Sequence, residues 1–208
     1  MHLNPYQIAT DFLSAQDADW AQLINIVGPC AFEPKAEREP YEALVRAIAY
    51  QQLHGKAGDA ILKRFKAMYG DTFPSPQLIL TTEFDALRAC GFSARKIETI
   101  QAIAQGVISG LVPTRAEADD MSDEALIAQL TTLKGIGRWT VEMMLMFTLQ
   151  RMDILPVDDF GVVEGYRRLK RLAIAPKRKE MMEIGQSWSP HRTIASWYLW
   201  RVPKILMP

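Results

Sequence analysis

Thr131-Thr132-Leu133-Lys134-Gly135-Ile136-Gly137-Arg138-Trp139-Thr140 lies between two runs of helical apolar spacing. The first, about 123–131, stops before the glycines; the second starts near Arg138 and passes Met143, Met146 and Phe147 with no breaker until about Gln150. Two glycines separated by one apolar residue permit a tight turn with positive φ and let a foreign backbone come close. Ile136 is expected to anchor that turn in the core. The first N–H groups of the second helix have no acceptor inside it, and together with the helix dipole they favour an anion. A DNA phosphate is a natural ligand there, whereas a lone Gly-x-Gly is more often an ordinary helix connection.

Outward from this turn, apolar residues recur at helical spacing almost everywhere, and alternating β-branched strands are nearly absent. The fold reads as all-α, with about ten helices between breakers such as Pro29, Pro40, Phe73–Pro76, Gly91, Gly110, Pro156, Pro176 and Pro190. The longest pattern, 41–69, turns Leu44, Ile48, Leu62 and Phe65 inward and breaks around Gly55, and its polar middle, Gln51-Gln52-Leu53-His54-Gly55-Lys56, is unusual for a helix end. The acidic stretch 117–124 reads as a solvated connection followed by a helix capped by Ser122. It divides the single 1–208 unit into two expected lobes, 41–115 and 1–40 plus 120–208, if the two ends of the chain pack together.

A chain of 208 residues with 49% hydrophobic content can bury a substantial core. Met1–Leu13 lacks the features of a signal peptide, and no later apolar run approaches a membrane span, so a soluble intracellular protein is expected, cytoplasmic if bacterial and nuclear if eukaryotic. Cys30 and Cys90 have no neighbouring ligand spacing, which argues for reduced, buried thiols and against zinc or iron–sulfur sites. The formal net charge of zero argues against an indiscriminate nucleic-acid binder. That zero is segregated: residues 1–45 and 116–126 each carry −5, while 46–115 carries +4 and 127–208 carries +6.

Leu133-Lys134-Gly135-Ile136-Gly137-Arg138-Trp139-Thr140 resembles the hairpin of the helix-hairpin-helix DNA glycosylase superfamily, and the Trp at its seventh place looks like the 3-methyladenine DNA glycosylase II branch. The resemblance extends to Leu155-Pro156-Val157-Asp158-Asp159-Phe160-Gly161, to 44–57, to Gly91-Phe92-Ser93-Ala94-Arg95-Lys96 and to Pro190-His191-Arg192 leading to Trp200; it covers about residues 41–201. It implies a two-lobed all-α glycosylase fold with a DNA-binding cleft between the lobes. The activity implied is excision of alkylated purines, such as 3-methyladenine and 7-methylguanine, from duplex DNA by a monomer that flips the damaged base.

The same resemblance assigns residues. Asp159 becomes the catalytic carboxylate, with Asp158 the competing candidate, since either also suits a cap of the helix that follows. Trp139, Met143 and Trp200 become the base pocket. One of Gln52, Leu53 and His54 becomes the wedge, in the stretch that enters the minor groove, and together with Lys56, Arg95, Lys96, Lys134, Gly135, Gly137, Arg138 and Thr140 these residues make up the DNA footprint. The backbone carbonyls of Thr131, Leu133 and Ile136 become ligands of a structural monovalent cation, and no cofactor is expected for catalysis.

One carboxylate suffices on chemical grounds. Sugar hydrolysis commonly uses two, but a purine alkylated at N3 or N7 is cationic and departs neutral without a general acid. What remains is an oxocarbenium-like sugar that one preorganised carboxylate stabilises while it orients water. Trp139 stands where strand-cleaving relatives carry a Schiff-base lysine, and indole forms no imine. Three other readings compete: a non-catalytic DNA-binding module, for which Asp159 has no use; a glycosylase with lyase activity, opposed by Trp139; and a carbohydrate glycosidase, which leaves the hairpin without a purpose.

Overall fold

The helix starts are written in short polar side chains: Asn4, Asp17, Ser75, Ser93, Thr114, Ser122 and Asp159 each accept a hydrogen bond from a backbone N–H two or three residues on. Such caps stabilise a helix by about 1 kcal/mol each. The computed structural model describes residues 4–53 and 55–204, and these are helical with no strand among them. His54, one of the expected wedge residues, lies outside the described residues.

The chain divides into two compact units, Lys35–Leu149 and the described parts of Met1–Pro34 with Gln150–Pro208. The first contains α3 (Pro40–Tyr50), α4 (Gly55–Ala67), α5 (Pro76–Thr81), α6 (Phe84–Ala89), α7 (Ala94–Ile108), α8 (Arg115–Asp119), α9 (Asp123–Leu130) and α10 (Arg138–Phe147). The second contains α1 (Pro5–Ser14), α2 (Ala18–Val27), α11 (Phe160–Leu169), α12 (Arg178–Ile184), a 3₁₀ turn (Gly185–Trp188) and α13 (Arg192–Leu199). The 41–69 pattern does break at Gly55, where α4 starts.

In Lys35–Leu149, α7 packs against α3 and α5, and α10 packs against α3 and α9. Ile48, Ile97, Ile100, Ile103, Leu130, Val141 and Leu145 are fully buried. Phe65 makes edge-to-face contacts with Tyr69, Phe73 and Phe92, centroids 5.3–5.8 Å apart. The division differs from the expected one, which grouped 120–149 with the chain ends. The physical reason is non-local: α10 buries Val141 and Leu145 in the packing with α3 and α9, and Leu133 lies against Gly106 of α7. The acidic stretch is no divider either, because Arg115 binds Glu39 and the Ala36 carbonyl on its own side of the division.

In the other unit, Tyr198 on α13 donates to the Gly28 carbonyl at 3.1 Å and lies 3.2 Å from the Thr10 hydroxyl, tying the first two helices to the last. Trp20 meets Trp188 edge to face at 5.3 Å, and Lys170 bridges Asp17 and Asp19 at 2.6 and 2.9 Å. Arg171, the next residue, also pairs with Asp19 at 3.0 Å. Helix α11 approaches α13 through Gly165, where a Cβ would lie 2.1 Å from the Leu199 carbonyl oxygen. No helix is long and apolar enough to cross a membrane among the described residues, and Cys30 and Cys90 are free thiols, the first half-buried and the second buried.

Candidate active site and nucleic-acid interface

The hairpin closes with the Ile136 N–H donating to the Leu133 carbonyl at 3.1 Å. Leu133 and Ile136 bury their side chains and pin the turn from inside. Gly135 has φ +89°, and a Cβ there would also stand 2.2 Å from Thr99 Oγ1, so glycine is required twice over. Gly137 differs: it is the N-cap of α10, offers no side-chain cap, and a Cβ on it would meet nothing within 4 Å. The start of α10 is therefore approachable by a ligand that accepts hydrogen bonds.

The expected cations around this turn are engaged with carboxylates. Lys134 is exposed and pairs with Glu98 at 2.8 Å. Arg138 grips Glu124 at 2.6 Å and the buried Glu142 at 2.9 Å, and the pairing holds the Glu98 and Glu124 carboxyls below their ordinary range. Thr140, expected in the DNA footprint, turns its side chain inward. Its side chain is buried and accepts a long hydrogen bond, 3.5 Å, from Gln51 Nε2, because α10 packs inward at this position.

That bond reaches the segment between α3 and α4. Lys96 donates to the Ala49 carbonyl at 3.0 Å, and partial burial lowers its pKa. It was expected on a phosphate; here it closes the C-terminal end of α3, whose last carbonyls lack helical partners. Gln52 follows with φ +58°, a left-handed conformation uncommon outside glycine, and Gln52, Leu53, Lys56 and Arg95 are exposed. Gln51, Gln52, Ser93, Arg95, Lys96, Thr99 and Gly135 share a cavity of about 200 Å³, so three segments distant in sequence converge there. A second, open cavity of about 800 Å³ holds Trp139, 40% exposed, with Tyr50, Gln51, Gln52, Leu53 and Ala57. Met143 is half-buried on α10.

The carboxylate belongs to the other unit. The Asp159 N–H donates to the Pro156 carbonyl at 2.9 Å, closing a turn, and Asp159 then caps α11. Its Oδ1 accepts from the Val162 N–H at 2.8 Å and from Trp200 Nε1 at 2.7 Å. Gly161 makes the second bond sterically accessible, since a Cβ there would stand 2.7 Å from Trp200 Cδ1 and 3.0 Å from Asp159 Oδ1. Asp158 is more exposed and forms an ion pair with Arg178. The two neighbouring aspartates are therefore distinct: one is aimed by an indole and a helix end, and the other neutralises a surface arginine.

The structure thus brings Asp159 and Trp200 together in one unit, and groups Trp139 with the wedge segment and Arg95 and Lys96 with the hairpin in the other. Sequence reading missed the indole bond to Asp159, the carboxylates on Lys134 and Arg138, and Tyr50. The Gly161 and Gly165 spacing, four apart on one helix face, is the visible signal that a neighbouring helix lies close over α11.

An all-helical chain with this hairpin and a capped, indole-bound aspartate has the parts of a base-excision repair protein. Residues 45–191 match the HhH-GPD superfamily base excision DNA repair proteins, and the chain belongs to that family. It is 47% identical over 195 residues to DNA-3-methyladenine glycosylase 1 of Schizosaccharomyces pombe, covering 93% of this chain and 86% of that one. Among solved structures, it resembles a Schizosaccharomyces pombe 3-methyladenine DNA glycosylase in complex with abasic DNA, with TM-score 0.85 and 46% identity over 93% of this chain and 95% of that chain. It also resembles a DNA-3-methyladenine glycosidase from Bacillus halodurans, with TM-score 0.82 and 34% identity over 96% and 89% of the two chains.

Proposed function

We propose that this protein is a monofunctional DNA-3-methyladenine glycosylase of base excision repair, acting on duplex DNA that contains alkylated purines. The observation that carries the reading is the Asp159 carboxylate, held through one oxygen by the Val162 N–H and the Trp200 indole, in a chain nearly half identical to a protein of that name. In the reaction, the electron pair of the glycosidic bond leaves with the cationic base, which departs neutral. The Asp159 charge stabilises the electron-poor sugar, a water oxygen bonds to C1′, and the water proton passes to the carboxylate and then to solvent. The product is an intact strand with an abasic site.

The unit 35–149 supplies the DNA footprint on this reading. The open start of α10 receives a phosphate, Lys134 and Arg138 exchange carboxylate partners for phosphates, and Arg95 and Lys56 add further contacts. Gln52 and Leu53 enter the space left by the flipped base, supported by Lys96 and Thr140 from behind. Trp139 and Met143 are candidates for contact with the base, and Trp200 serves Asp159 as a positioning residue. The donor set of neutral carbonyls at Thr131, Leu133 and Ile136 suits a monovalent cation: the Leu133 oxygen accepts only the Ile136 N–H among the bonds described for it, and a carbonyl has a second lone pair. Such a cation would stiffen the turn. The place of action is wherever the genome lies, the bacterial cytoplasm or the eukaryotic nucleus.

The test incubates the purified protein with methylated duplex DNA and identifies released bases by mass spectrometry. Release of 3-methyladenine or 7-methylguanine is expected, with strand breakage only on heat or alkali. Borohydride present during turnover should trap no protein–DNA adduct, because trapping needs an imine and position 139 carries an indole. Absence of any released base would favour the binding module.

A further inference from the structure

We infer that Tyr50 is a wall of the recess that receives the damaged base, and that its bond to Asp59 tunes that wall for cationic purines over neutral ones. The inference rests on the excision reading above. Tyr50 ends α3, immediately before the wedge segment, and shares the open cavity of about 800 Å³ with Trp139. That volume is in the range of small-molecule sites and accommodates a purine.

Two anchors fix the ring. One is Gly58 on α4: a Cβ there would stand 2.2 and 2.5 Å from Tyr50 Cδ1 and Cε1, so only glycine lets the ring come this close to the helix. The other is the phenol, which donates to Asp59 Oδ1 one residue further along α4. Tyr50 is 37% exposed and lines the cavity, two residues before the left-handed Gln52, while its phenol is tied to α4. Burial first, and then the Asp59 bond and charge, raise the Tyr50 pKa, so the phenol remains a donor at neutral pH.

A ring held in this way has a chemical preference. Aromatic faces attract cations through their quadrupole, and a phenol that donates to a carboxylate carries more electron density in its ring than a phenol in water. Purines methylated at N3 or N7 are cationic, whereas ethenoadenine is neutral and of similar area. A wall that served only to pack would favour neither. The Tyr50 wall favours the cation, and Asp59 does so without touching the base.

The experiment measures single-turnover excision rate constants, with enzyme in excess, on duplexes with one 7-methylguanine or one ethenoadenine. Tyr50→Leu is expected to lower the preference for 7-methylguanine by about threefold to thirtyfold. Gly58→Ala, which displaces the ring without removing it, should move the preference in the same direction. Tyr50→Phe and Asp59→Asn keep the ring on α4 and should lower the preference by about twofold, which keeps the test informative if Tyr50→Leu folds poorly. Equal losses on both lesions, or an unchanged preference in every variant, would overturn the assignment while leaving excision intact. Release of neither base by the unaltered protein would overturn the role of Tyr50, and the excision reading falls with it only if methylated DNA also yields no 3-methyladenine.

Discussion

The hairpin and the aspartate turn are held by opposite means. Around the hairpin, the cations Lys134 and Arg138 sit in ion pairs whose carboxylate partners Glu98 and Glu124 are exposed, and the N-cap Gly137 faces open space. Around Asp159, the space is closed: Gly161 and Gly165 have no room for a methyl group, and one carboxylate oxygen takes two N–H donors. Exposed ion pairs are worth little and exchange readily, so the Lys134–Glu98 and Arg138–Glu124 pairs suit partner exchange, while the buried Glu142 keeps Arg138 anchored at its other side. The second is made to keep a charge at one place, which is what transition-state stabilisation demands. Under the proposed function, binding and chemistry fall to regions with different physical tolerances.

Substitutions should separate the two. The largest effect among them is expected at Gly161→Ala, because the added methyl would push Trp200 off Asp159. Misplacing a catalytic group by about 1 Å costs on the order of a hundredfold in rate, so kcat should fall by about that factor while DNA affinity is kept. A matching fall in affinity would blur the distinction between the regions. Gly137→Ala should do the reverse. Its methyl enters open space, so folding stability should change by less than about 1 kcal/mol, while DNA affinity drops by about tenfold because the phosphate can no longer reach the α10 amides. Unchanged affinity in a filter or fluorescence titration would remove the α10 start from the footprint.

Smaller shifts are expected from the exposed charges. Lys134→Ala should lower the slope of log affinity against log salt by about 0.9, the value for one phosphate contact. Glu98→Gln frees the same lysine and should tighten binding by about twofold to fivefold, as suits an exposed pair. If Glu98→Gln weakens binding, Glu98 is positioning Lys134 and is not competing with the phosphate for it.

What was legible in the sequence is what depends on local backbone demands. Gly135 needs a left-handed φ, Ser122 and Asp159 are natural helix caps, and Gly55 breaks a long apolar pattern; each is a property of a few consecutive residues. The unit boundary was not legible, because it depends on α10 packing with α3, almost 90 residues away. The same holds for Lys96, whose bond to the Ala49 carbonyl spans 47 residues, and for Trp200, whose indole finds Asp159 across 41 residues. Pairing between distant elements sets these partners, and charge or aromaticity alone names only the candidates.

The most direct test sets the adjacent aspartates against each other on one duplex carrying 7-methylguanine, with single-turnover excision and equilibrium binding read for each variant. Asp159→Asn keeps the shape and removes the charge, so excision should fall by orders of magnitude with affinity largely retained. Asp158→Asn, which loses only the pairing with Arg178, should stay within a few-fold of the unaltered protein. Greater sensitivity at Asp158, or near-normal excision by Asp159→Asn, would contradict the account.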